Sequence, residues 1–504
     1  MKTGIPLLSR WPPVKGPFLT LFFSLLIAPV HAQIQPAWVQ RYNNNLPSGQ
    51  HQALKMLLDR SGNIYLCGFS ANTNGGTGYA TLKIAPNGQQ LWAARFDSTN
   101  SPSAQPMSFA LDSSNNVSVT GNAITLKYDP SGNLLWIVPY NAAGIAADPD
   151  NNVCITGVNS NYVTMKFSPE GSNLWMETFI SDGPCNSQTI NIDSSGNVYV
   201  CGSEVYISYD PVYEGPASRP CAIKYRPNGD LLWRVGDFDA YQKFFLINAT
   251  ALDAEGDLYF LFTAKGGVPI GFTTYAYAPT DSPLWAAYNP TSSIASQSRG
   301  LVLDRQGNVL ITGSDGYFYP YSSYITLKIN AAGDYVWTNT YPTYPQSIGV
   351  ANSIATDRSD NCYITGYSPD TRGTNDIVTI AYDTNGRQLW LQRYTGLGYG
   401  AVGNAIAADN SGNIYVAGYE NVPGGGSEMV LIKYSPVTLH RQSNGNFLLQ
   451  AQGSPGQPFD IQASTNLQSW LDLGSQSADT NGLLQFLDTN ASMHPWRFYL
   501  AIPK

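Results

Sequence analysis

An eightfold internal repeat constrains this chain more than any other feature. The segment "LLDRSGNIYLCG" at 57–68 recurs seven more times, for example as "VLDRQGNVLITG" at 302–313 and "AADNSGNIYVAG" at 407–418. Self-similarity at a fixed spacing is the signature of a repeat architecture. The repeated aspartates lie 36 to 60 positions apart, at Asp59, Asp112, Asp148, Asp193, Asp253, Asp304, Asp357 and Asp409.

Each repeat continues with a second motif that ends in Trp, as in "YATLKIAPNGQQLW" at 79–92. Together the two motifs contain four short β-forming runs separated by Gly, Asn, Asp and Pro. The second repeat completes them within 36 residues, which leaves no room for a helix. In "NIYLCG", Ile64 and Leu66 alternate with Tyr65 and Cys67, so this strand is predicted to be buried on both faces. Seven tryptophans end such motifs, at Trp92, Trp136, Trp175, Trp233, Trp285, Trp337 and Trp390.

Stacked four-stranded sheets form either a closed β-propeller or an open solenoid. The eighth repeat, which ends in "MVLIKYSPVTLH" at 429–440, lacks a Trp strand. The missing strand matches "PAWVQRYN" at 36–43, which resembles "QLWLQRYT" at 388–395. If Trp38 completes the eighth repeat, the two ends of the repeat region meet, which only a ring allows. The sequence therefore predicts an all-β fold over 33–438: a closed β-propeller of eight four-stranded blades, with the N-terminal strand completing the last blade.

The first 32 residues have the features of a secretory signal peptide. They contain, in order, three basic residues, an apolar run of about eleven residues and a small-residue cleavage site at 30–32. The apolar run is shorter than the roughly 20 residues that a membrane-spanning helix needs. We therefore predict that residues 1–32 are removed. The mature protein is expected in the periplasm, at the cell surface or in the medium, without membrane insertion.

Charge and residue usage exclude several classes of function. The net charge is −8, only 12% of residues are charged, and no basic cluster occurs, which argues against nucleic acid and anionic membranes as partners. The three histidines after residue 32 (His51, His440 and His494) are widely separated, so a His-based metal or catalytic site is not expected. We predict a monomer without a cofactor or metal.

The repeated "D-x-x-G-N" turn has two interpretations. A calcium loop needs carboxylates at alternating positions and a bidentate acid further on. Here Ser, Arg, Ala and Gln fill most of the intervening positions. We therefore expect the Asp to accept backbone N–H bonds within its own turn, with Gly or Asn at the residue of positive φ. The repeated Trp is likewise interpreted as a packing anchor.

These two motifs resemble the seven-bladed β-propeller (SBBP) repeats of secreted and surface bacterial proteins. The shared pattern is "D-x-x-G-N-[IV]-Y-[VI]-x-G" followed by "T-[LI]-K-[YI]-x-x-x-G-x-x-L-W", and it extends over about 36–436. This chain departs from the family in having eight units. Its fifth unit is degenerate, with Phe262 in place of Gly and Ala276 in place of Lys. The resemblance implies a propeller scaffold and no particular activity.

Residues 439–504 break the repeat period. Apolar and polar residues alternate between Gly and Pro turns, which predicts a small β-sandwich-like module. The segment resembles the short C-terminal modules that end many exported proteins of Verrucomicrobia-like bacteria. The residues that carry this resemblance are Phe459, Ile461, Ser464, Leu467, Trp470, Phe486, Asp488, Arg497, Phe498 and Tyr499.

The connections between second and third strands, and between fourth and first strands, are long and variable, and alternation places them on one rim. Variable loops on a rigid scaffold are common binding sites. Tyrosine rings beside Asn, Ser and Asp suit glycans or extended peptides; the alternative is that the tyrosines only cover a Gly-rich surface. The predicted ligand-binding residues are Tyr206, Tyr209, Tyr213, Tyr317, Tyr319, Tyr321, Tyr341, Tyr344, Tyr394 and Tyr399.

Two functions remain open at this point. The favoured one is a secreted, non-enzymatic scaffold that binds a glycan, a peptide or a protein. The alternative is a polysaccharide-active hydrolase or lyase, which would need two carboxylates about 5 Å or roughly 6.5–9.5 Å apart. No Gly-x-Ser-x-Gly motif is present, and no catalytic residue is predicted. Nothing in the spacing pairs the acids of the rim, which are Asp210, Glu214, Asp237, Asp239 and Asp315.

The cysteines are predicted to be mainly packing residues. Cys67, Cys154, Cys201 and Cys362 lie in second-strand motifs, where small buried apolar residues are expected. Cys201 and Cys221 flank one long loop on adjacent strands and are a candidate disulfide. Cys185 competes for the same role.

Overall fold

A computed structural model provides the structure of the chain. It describes fifteen stretches, and the predicted signal peptide, residues 1–32, lies outside them. The described residues are 36–99, 102–158, 162–180, 185–210, 213–235, 244–265, 271–288, 297–318, 321–343, 347–435, 438–452, 456–465, 469–480, 482–494 and 497–503.

The first half of the repeat region forms four antiparallel sheets of four strands, each sheet being one blade. The strands of a blade pair in sequence order, from the first strand, which is innermost, to the fourth, which is outermost. Blade 1 contains β2 (His51–Leu58), β3 (Ile64–Ala71), β4 (Thr77–Ile84) and β5 (Gln90–Phe96), and blade 2 contains β6 (Pro106–Leu111), β7 (Val117–Gly121), β8 (Thr125–Tyr128) and β9 (Leu134–Val138). Blade 3 contains β10 (Gly144–Ala147), β11 (Val153–Val158), β12 (Tyr162–Phe167) and β13 (Asn173–Phe179), and blade 4 contains β14 (Cys185–Ile192), β15 (Val198–Asp210), β16 (Tyr213–Tyr225) and β17 (Leu231–Val235).

The second half repeats this arrangement. Blade 5 contains β18 (Phe244–Leu252), β19 (Leu258–Lys265), β20 (Gly271–Tyr277) and β21 (Pro283–Tyr288), and blade 6 contains β22 (Gln297–Leu303), β23 (Val309–Phe318), β24 (Tyr321–Ile329) and β25 (Tyr335–Tyr341). Blade 7 contains β26 (Val350–Thr356), β27 (Cys362–Pro369), β28 (Asn375–Tyr382) and β29 (Gln388–Tyr394), and blade 8 contains β30 (Ala401–Ala408), β31 (Ile414–Asn421), β32 (Ser427–Tyr434) and the N-terminal β1 (Pro36–Tyr42).

The N-terminal strand closes the ring as the sequence predicts. β1 pairs antiparallel with β32, and Trp38 lies opposite Lys433. Blade 1 has the same register within its own sequence, where Trp92 lies opposite Lys83. The eighth blade is therefore built like the others, although its fourth strand comes from the other end of the repeat region.

The core is a ring of eight apolar clusters, one between each pair of neighbouring blades. Each second strand contributes to two of them: Ile64 and Leu66 pack towards blade 8, while Tyr65 and Cys67 pack towards blade 2. The prediction that this strand is buried on both faces is confirmed. The cluster between blades 8 and 1 contains Trp38 and has the same kind of packing as the other seven.

The two ends of the ring differ. On one end, called the turn face here, lie the short turns between first and second and between third and fourth strands. On the other end, the loop rim, lie the longer second-to-third and fourth-to-first connections. The stretch 203–220, expected as a long loop, instead extends β15 and β16 into a hairpin in which Asp210 pairs with Tyr213.

The C-terminal module consists of two three-stranded antiparallel sheets. Its core includes Leu449, Phe459, Ile461 and Leu484. One sheet has the order β33 (Thr438–Arg441), β34 (Phe447–Gln452) and β37 (Leu483–Asp488), and the other has β36 (Leu471–Ser477), β35 (Pro458–Ser464) and β38 (Phe498–Pro503); a 3-10 turn occupies Ala491–Met493. No helix in the described stretches has the length and apolarity needed to cross a membrane.

Candidate functional site

The aspartates of the turn face are held inside their own turns. Asp59 Oδ1 accepts the backbone N–H groups of Ser61 and Asn63, both at 2.9 Å, and its Oδ2 accepts the Asn63 side-chain amide at 2.8 Å. The aspartates of the other seven turns accept the same two backbone N–H groups. In the described residues no three His, Cys, Asp or Glu side chains gather into a possible metal site. These carboxylates are turn-forming groups and are not arranged as calcium ligands.

Two alternative contacts stabilise the outer oxygen of these aspartates. The residue six positions after the turn aspartate, in the second strand, decides between them. In blade 2 this residue is Ser118, and the Lys127 ammonium of the third strand lies 2.9 Å from the Asp112 carboxylate. Where Tyr415 occupies that position, its hydroxyl donates to Asp409 at 3.1 Å and Lys433 lies 5.5 Å above its ring. Blades 3 and 6 follow the first arrangement, with Lys166–Asp148 at 2.7 Å and Lys328–Asp304 at 2.9 Å. Blades 1 and 4 follow the second, with Lys83 above Tyr65 and Lys224 above Tyr199, and in blade 4 Lys224 also lies 3.9 Å from Asp193.

In the described residues, the repeated tryptophan connects seven of the eight blades to the next. Trp92 Nε1 donates to the carbonyl of Pro130 in blade 2 at 2.9 Å, and Lys83 donates to the same carbonyl at 3.2 Å. The indole packs on Gly132, where an added Cβ would lie 2.8 Å from the ring. A side chain is therefore excluded from this glycine on steric grounds. The same indole–carbonyl bond joins Trp38 to Pro86, Trp136 to Pro169, Trp175 to Pro227, Trp233 to Pro279, Trp285 to Ala331 and Trp337 to Thr384.

A cleft of about 690 Å³ opens on the turn face between blades 8 and 1. It lies between the turns that begin at Asp59 and Asp409, and Lys433 is at its base. Between blades 2 and 3 the equivalent gap is bridged, because Asn151 accepts from both the N–H and the hydroxyl of Ser113. The equivalent residue in blade 1 is Gly62, which has no side chain to form a bridge.

Most of the tyrosines predicted to bind ligand have side chains outside the described part of the structure. Tyr206, Tyr209 and Tyr213 lie in the β15–β16 hairpin, and Tyr317 and Tyr321 in the β23–β24 hairpin; their side chains are outside the described part of the structure. Tyr319 and Tyr344 lie outside the described residues altogether.

Two predicted tyrosines connect neighbouring blades. Arg393 of blade 7 donates to the Tyr341 hydroxyl of blade 6 at 3.0 Å, and Arg41 of blade 8 donates to the Tyr394 hydroxyl of blade 7 at 2.8 Å. Burial raises the pKa of Tyr394 far above its usual value, so the phenol stays protonated and donates to Glu420 at 3.2 Å. The geometry gives these two residues a structural role.

The arginines of this rim are also paired with acids of their own blades. Arg393 forms an ion pair with Asp376 at 2.9 Å, and Arg41 forms one with the buried Glu420. Both arginines belong to the "QRY" sequence shared by β1 and β29. The shared motif thus encodes a contact between blades in addition to the fourth strand itself.

Exposed apolar side chains follow the fourth strands around the loop rim. Tyr399, with 57% of its surface exposed, and Leu397, with 47%, lie in the connection from blade 7 to blade 8. The connections that follow blades 2, 3, 5 and 6 contribute Tyr140, Ile180, Tyr288 and Ile348. These six residues are called the rim ring. Because each member lies at the end of a fourth strand or in the connection that follows it, the rim ring lies on the loop-rim end of the propeller.

Residues 389–422, which extend from β29 to β31, match the family model of the SBBP β-propeller repeat. The chain carries an SBBP repeat. A search of curated proteins gave no match. Two solved structures are similar at low identity. A protein of unknown function from Bacteroides caccae has 14% identity over 58% of this chain and 94% of that one, with a TM-score of 0.33. The Pan2 WD40 domain of Neurospora crassa has 11% identity over 71% of this chain and 97% of that one, with a TM-score of 0.40.

The matched SBBP repeat contains the closing elements of one blade and the opening elements of the next. Its span begins in the Trp strand of blade 7 and ends after the second strand of blade 8. It therefore includes Arg393, which donates to Tyr341 of blade 6, and Glu420, which accepts from Tyr394 of blade 7. The SBBP motif thus coincides with residues that join blades in this chain.

The disulfide predicted between Cys201 and Cys221 does not form. Both thiols are free, and burial raises the pKa of Cys221 to about 11. In the β15–β16 register Cys201 lies opposite Ala222, and Cys221 lies opposite Gly202. Adjacent residues of a strand point to opposite faces, so Cys201 packs against blade 5 and Cys221 against blade 3. Cys185 shares the second of these clusters.

Of the acids considered for catalysis, only Asp315 has its side chain in the described part of the structure. Asp210 and Glu214 are near the tip of the β15–β16 hairpin, with side chains outside the described part, and Asp237 and Asp239 are outside the described residues. Asp315 lies in β23 of blade 6, opposite Ser323.

Sequence reasoning missed the buried histidine at the ring closure. His51 Nε2 donates to the Leu46 carbonyl at 2.8 Å, which makes Nδ1 the acceptor of the Ser70 hydroxyl at 2.7 Å. Its backbone N–H donates to Ser427 of blade 8. Burial lowers the pKa of His51, so the ring is neutral. The equivalent positions of other blades contain residues such as Ala104 and Ala401, and this departure from the repeat is the signal that was available.

Proposed function

We propose that this protein is an exported, non-enzymatic β-propeller that binds an extended glycan on its loop rim. The observation that carries the proposal is the rim ring, in which exposed apolar side chains from five blades lie on the loop-rim end of the propeller. Exposed apolar patches on a protein surface mark interaction sites. Three of the six members are tyrosines, whose ring faces pack on sugar C–H surfaces while their hydroxyls bond to sugar hydroxyls.

The absence of a free catalytic pair among the described rim residues supports binding over cleavage. The charged groups near the rim ring are committed to ion pairs within their own blades, as in Arg41 with Glu420 and Arg393 with Asp376. A glycosidase needs two carboxylates facing the substrate at a defined separation. The carboxylate of Glu420 faces Arg41, Tyr394 and the N–H of Leu397. It therefore faces the protein.

Export is supported by the leader at residues 1–32, with its basic region, apolar run and small-residue cleavage site. Mass spectrometry of the secreted protein should give an N-terminus at Gln33. A protein that keeps its first 32 residues and stays inside the cell would contradict this part of the proposal.

A glycan array followed by product analysis tests the binding function. The double variant Leu397→Ala/Tyr399→Ala should weaken glycan binding about tenfold or more, since such anchors are worth 1–3 kcal/mol each. The matched control is Leu135→Ala on the outer strand of blade 2, where Leu135 is 49% exposed and Leu397 is 47% exposed. Equal binding by both variants would remove the rim ring as the site. Binding of peptides but not glycans would change the ligand class, and cleaved products would favour the hydrolase or lyase.

A further inference from the structure

The wall of the central channel has an unusual charge composition. The eight innermost strands are β2, β6, β10, β14, β18, β22, β26 and β30. Over these strands there is no Asp or Glu, and the cationic side chains are Lys55 and Arg299. The whole chain has 35 acidic against 27 basic residues. A channel wall without acids in an acidic protein gives a local positive potential that low-dielectric walls strengthen.

Lys55 is the focus of this potential. The other lysines whose side chains the structure describes are buried repeat lysines, each donating to a carbonyl of the next blade: Lys83, Lys127, Lys166, Lys224, Lys328 and Lys433. Lys55 is exposed, and within the described residues it forms no ion pair. Its strand is enclosed by blade 8, blade 2 and β3. The water that it contacts is therefore the water of the channel.

Nearby protein crowds Lys55 at this level of the ring. Desolvation by burial lowers the pKa of the ammonium although the side chain is exposed. An exposed group with a partly desolvated charge fits a confined, water-filled space. An ammonium in such a space has lost part of its hydration and has no carboxylate to replace it, so it favours an anionic ligand.

Arg299 lies closer than Lys55 to the loop-rim end of the channel. Each innermost strand runs from the loop rim to the turn face, and Arg299 occupies the position in blade 6 that Leu54 has in blade 1. Arg299 is exposed and donates to Gln297 at 3.0 Å. Lys55 is four residues before Asp59, or about 13 Å from the turn face along an extended strand. An anion entering from the loop rim meets Arg299 first, while the opposite mouth is surrounded by turn aspartates.

We propose that the central channel binds a small oxyanion, such as a sulfate, phosphate or carboxylate group, with Lys55 as its principal partner and Arg299 one strand position nearer the loop rim. This site lies inside the ring and is separate from the glycan surface proposed on the rim. The Lys55 ammonium donates hydrogen bonds to the oxyanion, and charge-assisted bonds of this kind are the stronger ones in proteins. Arg299 adds a planar donor group that suits the same oxygens.

Titration calorimetry of the mature chain with sodium sulfate, at constant ionic strength in sodium chloride, tests the proposal. The wild type should bind sulfate saturably, and Lys55→Met should bind it at least about tenfold more weakly, the loss expected for one hydrogen bond between charged groups. Lys55→Arg should retain binding within a few fold. The control is Arg226→Met, which removes an exposed cation from a turn of blade 4, outside the channel. Unsaturable heats in the wild type, or equal affinity in Lys55→Met, would overturn the assignment.

A second readout does not depend on a variant. An amine-acylating reagent at pH 8 should modify Lys55 faster than the six repeat lysines, because Lys55 is exposed and they are buried. Saturating sulfate should slow this reaction several fold, as followed by peptide mass spectrometry. Acylation of Lys55 at the same rate with and without sulfate would show that no anion occupies the channel beside it.

Discussion

The junction that closes the ring and the junctions inside the chain use the same contacts. At the closure, Trp38 and Lys433 of blade 8 both donate to Pro86 of blade 1, at 3.2 and 3.0 Å. At the junction of blades 1 and 2, Trp92 and Lys83 donate to Pro130. The partners at the closure are 347 residues apart for Lys433 and Pro86. Sequence separation therefore changes nothing in the geometry of the contact.

The closure and the internal junctions differ on the turn face and on the loop rim, to either side of the shared indole–carbonyl contact. On the turn face the closure has an open cleft, whereas Asn151 bridges blades 2 and 3. On the loop rim the closure has additional bonds: Asn43 donates to Glu428, and His51 contacts Ser427. The closure is thus looser on one end of the ring and more strongly bonded on the other. The junction whose first blade is assembled from both ends of the repeat region is thus stabilised by side chains outside the repeat pattern.

Deletion of residues 36–43 should have the largest effect, because it removes the outer strand of blade 8 and the closing contact together. The loss of unfolding free energy should exceed the roughly 3–5 kcal/mol expected for Trp38→Ala, a large-to-small change at a buried ring. Thermal unfolding followed by circular dichroism measures both variants, with Leu135→Ala as the surface control. The deleted protein should keep a β spectrum. An unchanged melting temperature would mean that the ring does not depend on its closing strand.

Substituting the repeat lysine should separate the two ways of holding the turn aspartate. Lys127 and Asp112 are 0% and 1% exposed at their side chains, so Lys127→Met leaves a buried carboxylate without its cation and should cost about 3–5 kcal/mol. Lys433→Met at the closure should cost less, since the Tyr415 hydroxyl still donates to Asp409. Urea unfolding at pH 7 measures the difference. Equal losses would show that the tyrosine does not substitute for the ion pair.

The wild type and the Lys433→Met variant should also differ in how their stability depends on pH. Burial lowers the pKa of Lys433 from 10.5 to about 8, so the unfolded chain binds more protons than the folded one between these values. The stability that Lys433 contributes therefore rises with pH from about 8 upwards, by about 1.4 kcal/mol per pH unit at most. Wild type minus Lys433→Met, measured between pH 7.5 and 9.5, isolates this slope. A flat difference would contradict the lowered pKa.

Glycine substitutions should give the smallest and most local effects. Gly132→Ala places a Cβ 2.8 Å from the Trp92 ring at a φ of +88°, so steric conflict adds to backbone strain, and we expect about 2–3 kcal/mol. Gly75→Ala, at a φ of +81° with no atom within 4 Å, has the strain alone and should cost about 1 kcal/mol. At the closure, the Cβ of Gly88→Ala would meet Trp38 at 3.1 Å. Its cost should fall between the other two, as measured by chemical unfolding.

The sequence predicts those parts of the fold that repeat. Alternation at Ile64 and Tyr65 gave the correct two faces of a buried strand, and the match between "PAWVQRYN" and "QLWLQRYT" gave the closing strand. Both predictions rest on local physics, since side-chain alternation and turn chemistry act within a few residues. Because the pattern occurs eight times, each such prediction is supported by several copies.

Contacts that depend on register or on the neighbouring blade could not be predicted in this way. The β15–β16 register is set at the hairpin tip, and it offsets Cys201 from Cys221 by one residue, which is enough to put the two thiols on opposite faces. Tyr341 and Tyr394 looked like rim residues because their partners, Arg393 and Arg41, belong to the next blade. The charge of Lys55 is unusual only relative to the other seven innermost strands, which the ring brings together around one channel.

At each of the seven junctions where the structure describes it, the indole–carbonyl bond points from one blade to the following one, as from Trp92 to Pro130. Each blade therefore has a donor side and an acceptor side, like a subunit in a head-to-tail cyclic assembly. Adding or removing one whole unit would leave every remaining junction chemically complete, and the chain could begin at any fourth-to-first connection. Blade number is then fixed by the rotation that each junction imposes, in the way that interface angle fixes the size of a subunit ring.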